Sequence, residues 1–235
     1  EDIFNHHIIT AAGKGSRFSN FGYRLPKIFL KFHNKIFLKH ALSSIKSQRE
    51  TIISLEEYKK DFDIEFKDEK DLEKIYLSST PNGQLLTLNK YLQNQREIND
   101  FFVSSADYKF FLSTRKFKSF LNKFKPDIVI LTTAWNSFSF ADLSNYGFVT
   151  CDNSGVVKKI IEKPNLEELK EIDMNSLLIG TFWFKSSLLI KKMIKENSSK
   201  DELFIAKNIN KFLDEFKVYK FNVDNWLSLG TPKEL

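Results

Sequence analysis

The sequence is poor in residues that fix a structure by covalent or conformational constraint. It has one cysteine, Cys151, with eight glycines and five prolines among 235 residues. A single thiol excludes an intramolecular disulfide framework and fits a reducing compartment, so a cytoplasmic setting is expected. No apolar run reaches the roughly 18 residues that a membrane span needs, and no secretory leader is evident. No membrane partner is therefore expected. Acidic residues are missing from Ile3 through Arg49, a stretch that carries nine Lys or Arg. A field so one-sided attracts an anion. Nucleic acid is not the expected one, because these cations do not interleave with aromatics on one face and no nucleic-acid motif occurs. The net charge of +6 otherwise suits a lysine-rich solvated surface.

What the chain has in quantity is apolar material. Hydrophobic residues make up 42%, including 24 Phe, enough for a sizeable core. Strand-like and helix-like runs alternate, which predicts an α/β layered fold. Strands are expected over 6–10, 51–55, 74–79, 100–107, 127–133 and 176–185. Helices are expected over 39–48, 56–66, 85–95, 116–124 and 186–196. Residues 146–164 read as a hairpin turning at Asn153-Ser154-Gly155. A long helix over 201–216 and a final strand over 218–229 close the pattern. The length suits one domain over 1–235, and the chain can be part of something longer.

"AAGKGSRF", residues 11–18, follows the first expected strand. A P-loop needs a leading glycine five positions before Gly13, where Ile8 stands. A dinucleotide fingerprint needs a third glycine at position 18, where Phe18 stands, and an acidic residue about 20 positions on, where none occurs. A turn that merely needs glycine is the bland alternative. The loop is better suited to wrapping a nucleoside triphosphate. Gly13 and Gly15 let backbone N–H groups approach phosphate oxygens, Arg17 supplies a planar fork, and "LPK" sets Lys27 behind Pro26 as a second cation.

The run "AAGKGSRF…RLPKIFLKF" resembles the signature of the sugar-phosphate nucleotidylyltransferases and their relatives, including phosphocholine cytidylyltransferases. "VSSAD", "YGFVTCDNSGVVKKIIEKP" and "WLSLGTPKEL" extend the likeness in the same order, and "TPNGQLLTL" is similar to a segment that meets the base. The resemblance implies a single Rossmann-like three-layer sandwich with a mixed, mostly parallel central sheet, of the kind also seen in GT-A glycosyltransferases. It implies transfer of a nucleotidyl group from a nucleoside triphosphate to a phosphorylated small molecule such as a sugar 1-phosphate, for instance on the way to a surface polysaccharide. Arg17, Lys27 and Asp107 would be catalytic. Ala11, Ala12, Gly13, Lys14, Gly15, Ser16, Arg17, Gly83, Gln84 and Ala106 would bind the nucleotide. Gly147, Glu162, Lys163 and Thr181 would bind the acceptor. Asp107 would hold Mg²⁺.

The likeness breaks at one point. A second metal aspartate would fall at position 228, and the chain has Ser228. Asp224 shares the parity of Ser228 but lies about 13 Å away along an extended strand. The expectation is one carboxylate plus substrate phosphates, with Asp224 as the alternative ligand. His6 and His7 are adjacent on a strand and point to opposite faces, so they cannot share a metal; His33 and His40 lack partners at metal spacing. Structural roles are expected for all four, and Cys151 is expected to be inert. The short "TPNGQ" loop resembles that of cytidylyl and uridylyl relatives, a likeness that favours CTP or UTP as the donor. Two rival functions remain at this stage: a GT-A glycosyltransferase, which would carry Asp-x-Asp where Ala106-Asp107-Tyr108-Lys109 stands, and a nucleotide-binding subunit without turnover, which Ser228 keeps open.

Overall fold

A computed structural model describes residues 3–135, 146–196, 203–230 and 232; the side chains of Ser16, Arg17 and Glu171 fall outside that set. The strands are β1 (Phe4–Thr10), β2 (Lys31–Phe32), β3 (Lys35–Ile36), β4 (Ser47–Leu55), β5 (Leu72–Leu77), β6 (Asn99–Ser105), β7 (Tyr108–Phe111), β8 (Ile128–Thr133), β9 (Gly147–Cys151), β10 (Val157–Glu162), β11 (Leu177–Ser186), β12 (Val218–Asn222) and β13 (Asn225–Ser228). The α-helices are α1 (Ser16–Ser19), α2 (Phe37–Leu42), α3 (Lys59–Glu65), α4 (Gln84–Leu92), α5 (Thr114–Phe124), α6 (Glu168–Glu171), α7 (Ser187–Lys195) and α8 (Ile205–Lys211).

Nine strands form one sheet, ordered β10-β9-β11-β6-β1-β4-β5, with β8 paired to β11 and β12 to β8. The β6-β1-β4-β5 half is parallel, and β12 runs parallel to β8. β11 runs against β6, β8 and β9, and β10 runs against β9, so only these two oppose the common direction. The sheet is therefore mixed and mostly parallel, as expected. Strand β8, "IVILTT", is buried at all six positions, the mark of a strand covered on both faces.

Alternate side chains sort into two helical layers. Ile8 packs with Leu85 and Leu88 of α4, Ile190 of α7 and Ile209 of α8. Its neighbour Ile9 packs on the opposite face with Leu38 of α2 and Phe62 of α3. Phe117 of α5 joins Phe4, Phe102 and Trp183 on that second side. Most of the described phenylalanines are core, whereas Phe21, Phe111 and Phe204 are exposed.

Several boundaries differ from expectation. The helix expected over 39–48 is α2, which ends at Leu42, so that Ser47 can begin β4. The long helix expected over 201–216 shrinks to α8, because Phe212 and Phe216 fold into a stacked turn; positions 201 and 202 lie outside the described residues. The expected last strand divides. β12 completes the main sheet, while β13 leaves it to pair with β7 in a two-stranded sheet of its own.

Candidate active site

The parallel strands end on one side of the sheet around a cavity of about 510 Å³. Four stretches of chain build it. The first is the loop after β1. Ala11 N donates to Ile53 O at 2.7 Å and Ser54 Oγ donates to Ala11 O at 3.1 Å, which pins the start of the loop to β4. Gly15 has a φ of +62°, and a Cβ there would sit 3.0 Å from Lys27 Cβ. A side chain at position 15 would therefore push away the residue that the loop faces.

Lys27 begins a 3-10 turn directly after Pro26. Its ammonium donates to Asp107 Oδ1 and, at 3.3 Å, to Gly230 O, and lies 5.4 Å from the Phe18 ring centroid. The Lys27 side chain is mostly enclosed, whereas that of Asp107 is 40% exposed toward the cavity. Asp107 sits in the tight turn between β6 and β7. Leu229 N holds the Asp107 carbonyl at 2.7 Å, so β13 clasps the loop that carries the carboxylate.

The second wall comes from the hairpin and β11. Glu162, the last residue of β10, stands opposite Gly147, the first of β9, and both line the cavity with Tyr108 and Tyr146. The register of β11 slips between Leu178 and Phe182, where Gly180 takes a φ of +65°. The slip turns Gly180 into the wall. The buried Ser105 hydroxyl, with no hydrogen-bond partner among the described residues, lies 3.1 Å from where a Cβ on Gly180 would be. The remaining wall is Thr80, Pro81, Gly83 and Gln84 with Phe204, Ile205 and Ala206 of the α8 region.

Of the sequence-expected residues, Ala11, Ala12, Gly13, Gly15, Lys27, Gly83, Gln84, Ala106, Asp107, Gly147 and Glu162 line this cavity together. Others do not. Lys14 is exposed on the loop and outside the lining. Lys163 has a φ of +51° just after β10 and is likewise not in the wall. Thr181 is buried, its hydroxyl 3.2 Å from Ser104 Oγ, so it bonds inside the sheet and not to an acceptor. Asp224 is a correction: it accepts from Ser113 N at 3.1 Å and pairs with Lys116 at 3.1 Å at the start of α5, and it is not part of the cavity wall. Ser228 Oγ accepts from Gly230 N at 3.4 Å. The Ser16 and Arg17 side chains, and Thr231 of the closing motif, lie outside the described residues.

Sequence reasoning did not single out Thr10, Ser105, Tyr108, Tyr146 or Gly180 as wall residues. For Gly180 a signal was available, since a glycine inside a strand-like run marks a bulge. The other polar groups have quieter roles. His6 is buried against Thr51 at 2.7 Å, and burial, then the charge of Arg49, lowers its pKa to about 4. His7 bonds Ser104 at 2.9 Å, and burial, then His6, lowers its pKa to about 3. His40 bonds the Phe32 carbonyl at 2.8 Å, and His33 turns the β2-β3 hairpin with a φ of +46°. Burial raises the pKa of the Cys151 thiol to about 11, which keeps it protonated and inert.

Among the described residues no three His, Cys, Asp or Glu come together as a metal site. Asp107 is the carboxylate beside Lys27. A single carboxylate suits a hard divalent ion only when ligand phosphate oxygens and water complete the shell, so the donor set fits a metal shared with a polyphosphate.

The glycine loop, Lys27 and the carboxylate after central strand β6 thus meet in one cavity of an α/β protein with a mixed, mostly parallel sheet. The chain belongs to the nucleotidyl transferase family, whose model matches residues 6–235. It is 25% identical over 238 residues to a mannose-1-phosphate guanylyltransferase catalytic subunit beta of Drosophila pseudoobscura pseudoobscura, covering 97% of this chain and 59% of that protein. It thus spans about three-fifths of the length of that relative. Among solved structures, an inositol-1-phosphate CTP transferase from T. maritima superposes with a TM-score of 0.77 at 18% identity, covering 100% of this chain and 93% of the other. A nucleoside-diphosphate-sugar pyrophosphorylase from Vibrio cholerae RC9 gives 0.76 at 18% identity, with 97% of both chains covered. These two establish the shared Rossmann-like fold. Among the described residues, no helix is long and apolar enough to cross a membrane.

Proposed function

We propose that the protein is a nucleotidylyltransferase that joins a nucleoside triphosphate to a phosphorylated small molecule, with a sugar phosphate as the expected acceptor, and releases pyrophosphate. One observation carries this reading: the glycine loop, Lys27 and Asp107 share a single cavity with the Gly147–Glu162 wall. That arrangement can hold two anionic ligands end to end.

In the reaction an acceptor phosphate oxygen attacks the α-phosphorus, and the bond to the pyrophosphate oxygen breaks. The attacking oxygen is already ionised near neutral pH, so no general base is needed; alignment and charge neutralisation supply the rate. Backbone N–H groups of 11–15 would hold the triphosphate, and Arg17 would stand near the leaving pyrophosphate. Lys27 would leave Asp107 for the α-phosphate and neutralise charge as it builds. Gly147 and Glu162 would orient the acceptor so that its phosphate meets phosphorus in line. Asp107 would help hold Mg²⁺, which when bound neutralises the phosphates and orients the leaving group.

A guanylyltransferase and a CTP transferase stand among the relatives, and both names describe nucleotidyl transfer to a phosphorylated acceptor. At the end of the central strand the chain reads Ala106-Asp107-Tyr108-Lys109, not the Asp-x-Asp of the glycosyltransferase reading. Ser228, standing where a second metal aspartate is expected, keeps a second reading, nucleotide binding without turnover. Incubation with each triphosphate, Mg²⁺ and a panel of sugar 1-phosphates and phosphorylated alcohols decides between them. Pyrophosphate release dependent on one acceptor supports transfer. Binding with no pyrophosphate for any pair overturns it.

A further inference from the structure

We propose that Phe18 is a positioning residue for the transfer step: its ring holds the Lys27 ammonium in place without neutralising it. The inference rests on the reading above, in which Lys27 acts on the α-phosphate.

In the sequence, Phe18 stands where a dinucleotide fingerprint would have glycine. In the fold it follows the glycine loop, is 1% exposed, and packs with Leu30, Phe37 and Leu229. Its backbone is tied on both sides. Phe18 N donates to Gly15 O at 3.0 Å, and Phe18 O accepts from Phe21 N at 3.0 Å and from Tyr23 N at 3.2 Å. The rings of Tyr23 and Phe37 stand T-shaped to that of Phe18, with centroids 5.4 and 6.1 Å away. A ring packed and bonded in this way is a rigid surface.

Lys27 Nζ lies over that surface, 5.4 Å from the ring centroid. The negative face of an aromatic ring attracts a cation within about 6 Å. An ammonium has three N–H groups. Two of them serve Asp107 Oδ1 and Gly230 O, and the ring covers a further side. The three partners act on the cation differently. A carboxylate carries a full opposite charge and cancels the field of the ammonium. A carbonyl and a ring carry no net charge, so they attract the ammonium and leave its charge in force. When Lys27 exchanges Asp107 for phosphate, as proposed above, the Gly230 carbonyl and the Phe18 ring are the described partners that still hold it. An aliphatic side chain in place of the ring would keep water away but would not attract the cation. The long lysine side chain would then spread over more positions, and a misplaced charge stabilises the transition state less.

The test is a double-mutant cycle on steady-state turnover, using the intact protein, Mg²⁺ and the donor and acceptor identified by the pyrophosphate assay above. Phe18→Leu, which keeps the position apolar, should lower kcat by about threefold to tenfold, with KM for both substrates within about twofold. In a Lys27→Met background the same substitution should change kcat by less than about twofold, because the cation that the ring positions is gone. A ring that serves only the core would slow both backgrounds alike. A difluorinated phenylalanine at position 18 covers the case in which Phe18→Leu folds poorly. It keeps the ring, weakens its negative face, and should lower kcat only where Lys27 is present. Equal losses in the two backgrounds overturn the inference, as does an unchanged kcat in Phe18→Leu. Should nucleotide bind but no substrate pair turn over, the reading of the reaction falls, and this inference with it.

Discussion

Lys27 and Asp107, eighty residues apart in sequence, form an ion pair on the cavity wall, and the same ammonium is shared with the Gly230 carbonyl at 3.3 Å. The carboxylate proposed to bind a metal is thus paired with the cation proposed to act on phosphate. In the proposed reaction an arriving polyphosphate would give Lys27 a second partner and free Asp107 for the metal.

A first prediction concerns that exchange. Lys27→Met should lower kcat/KM by about 100-fold or more, roughly 3 kcal/mol of transition-state stabilisation. The same substitution should raise the affinity for free Mn²⁺ without nucleotide, because the ion no longer competes with an ammonium. Calorimetric titration with Mn²⁺ alone reads the second effect, and unchanged affinity would show that the pair does not guard the carboxylate.

The two aspartates considered for the metal should part company. Asp107→Asn should leave nucleotide binding equally strong with and without Mg²⁺. Asp224→Asn should keep the metal effect intact, since Asp224 is engaged with Ser113 and Lys116 away from the cavity. Its loss should cost about 1 kcal/mol or less, as expected of an exposed pair and a helix-start contact. Melting temperatures with nucleotide, in Mg²⁺ and in chelator, check both.

Gly83→Ala is expected to be costly. A Cβ there would lie 2.5 Å from Leu203 N and 2.6 Å from Leu203 O, both backbone atoms, at a φ that L-residues rarely adopt. Relief requires moving α4 off the α8 segment. A loss of about 2–4 kcal/mol in urea denaturation is expected. A change within experimental error would mean that this junction yields without strain.

Acid should destabilise the fold through its two buried histidines. Both have native pKa values below the ordinary 6.5, about 4 for His6 and about 3 for His7. A depressed native pKa means that the unfolded chain takes up the proton first. The stabilisation is fully present above about pH 6.5 and is lost as the pH falls from there through 4 and 3. The urea midpoint should decline from pH 6.5 to 4.5, and His7→Leu should make that decline shallower. A flat midpoint across this window would contradict the burial of the pair.

Much of this was legible in the sequence, for identifiable reasons. Continuous apolar runs such as 128–133 are hard to place anywhere but a central strand, and Gly13, Gly15 and Lys27, grouped from the sequence, line one cavity. The excursion of β13 was not legible. "FNVDNWLSL" alternates like one strand, and only three-dimensional packing reveals that Asp224 N bonds Phe111 O and redirects the chain. The same redirection explains why parity placed Asp224 with Ser228: the argument assumed one extended strand. Thr10 was missed because a threonine at the end of a β-branched run reads as strand propensity. Its place in the wall is set by bonds to Ser104 and Gln84, 94 and 74 positions away.

The clasp of β13 on the Asp107 loop has a consequence for how such a chain matures. On a ribosome the glycine loop, Lys27 and Asp107 all emerge long before residues 225–230. Until that stretch arrives, the Asp107 carbonyl lacks the Leu229 amide and Lys27 lacks the Gly230 oxygen. A polypeptide cut before residue 225 would thus keep these groups while losing two of the bonds that set them in place.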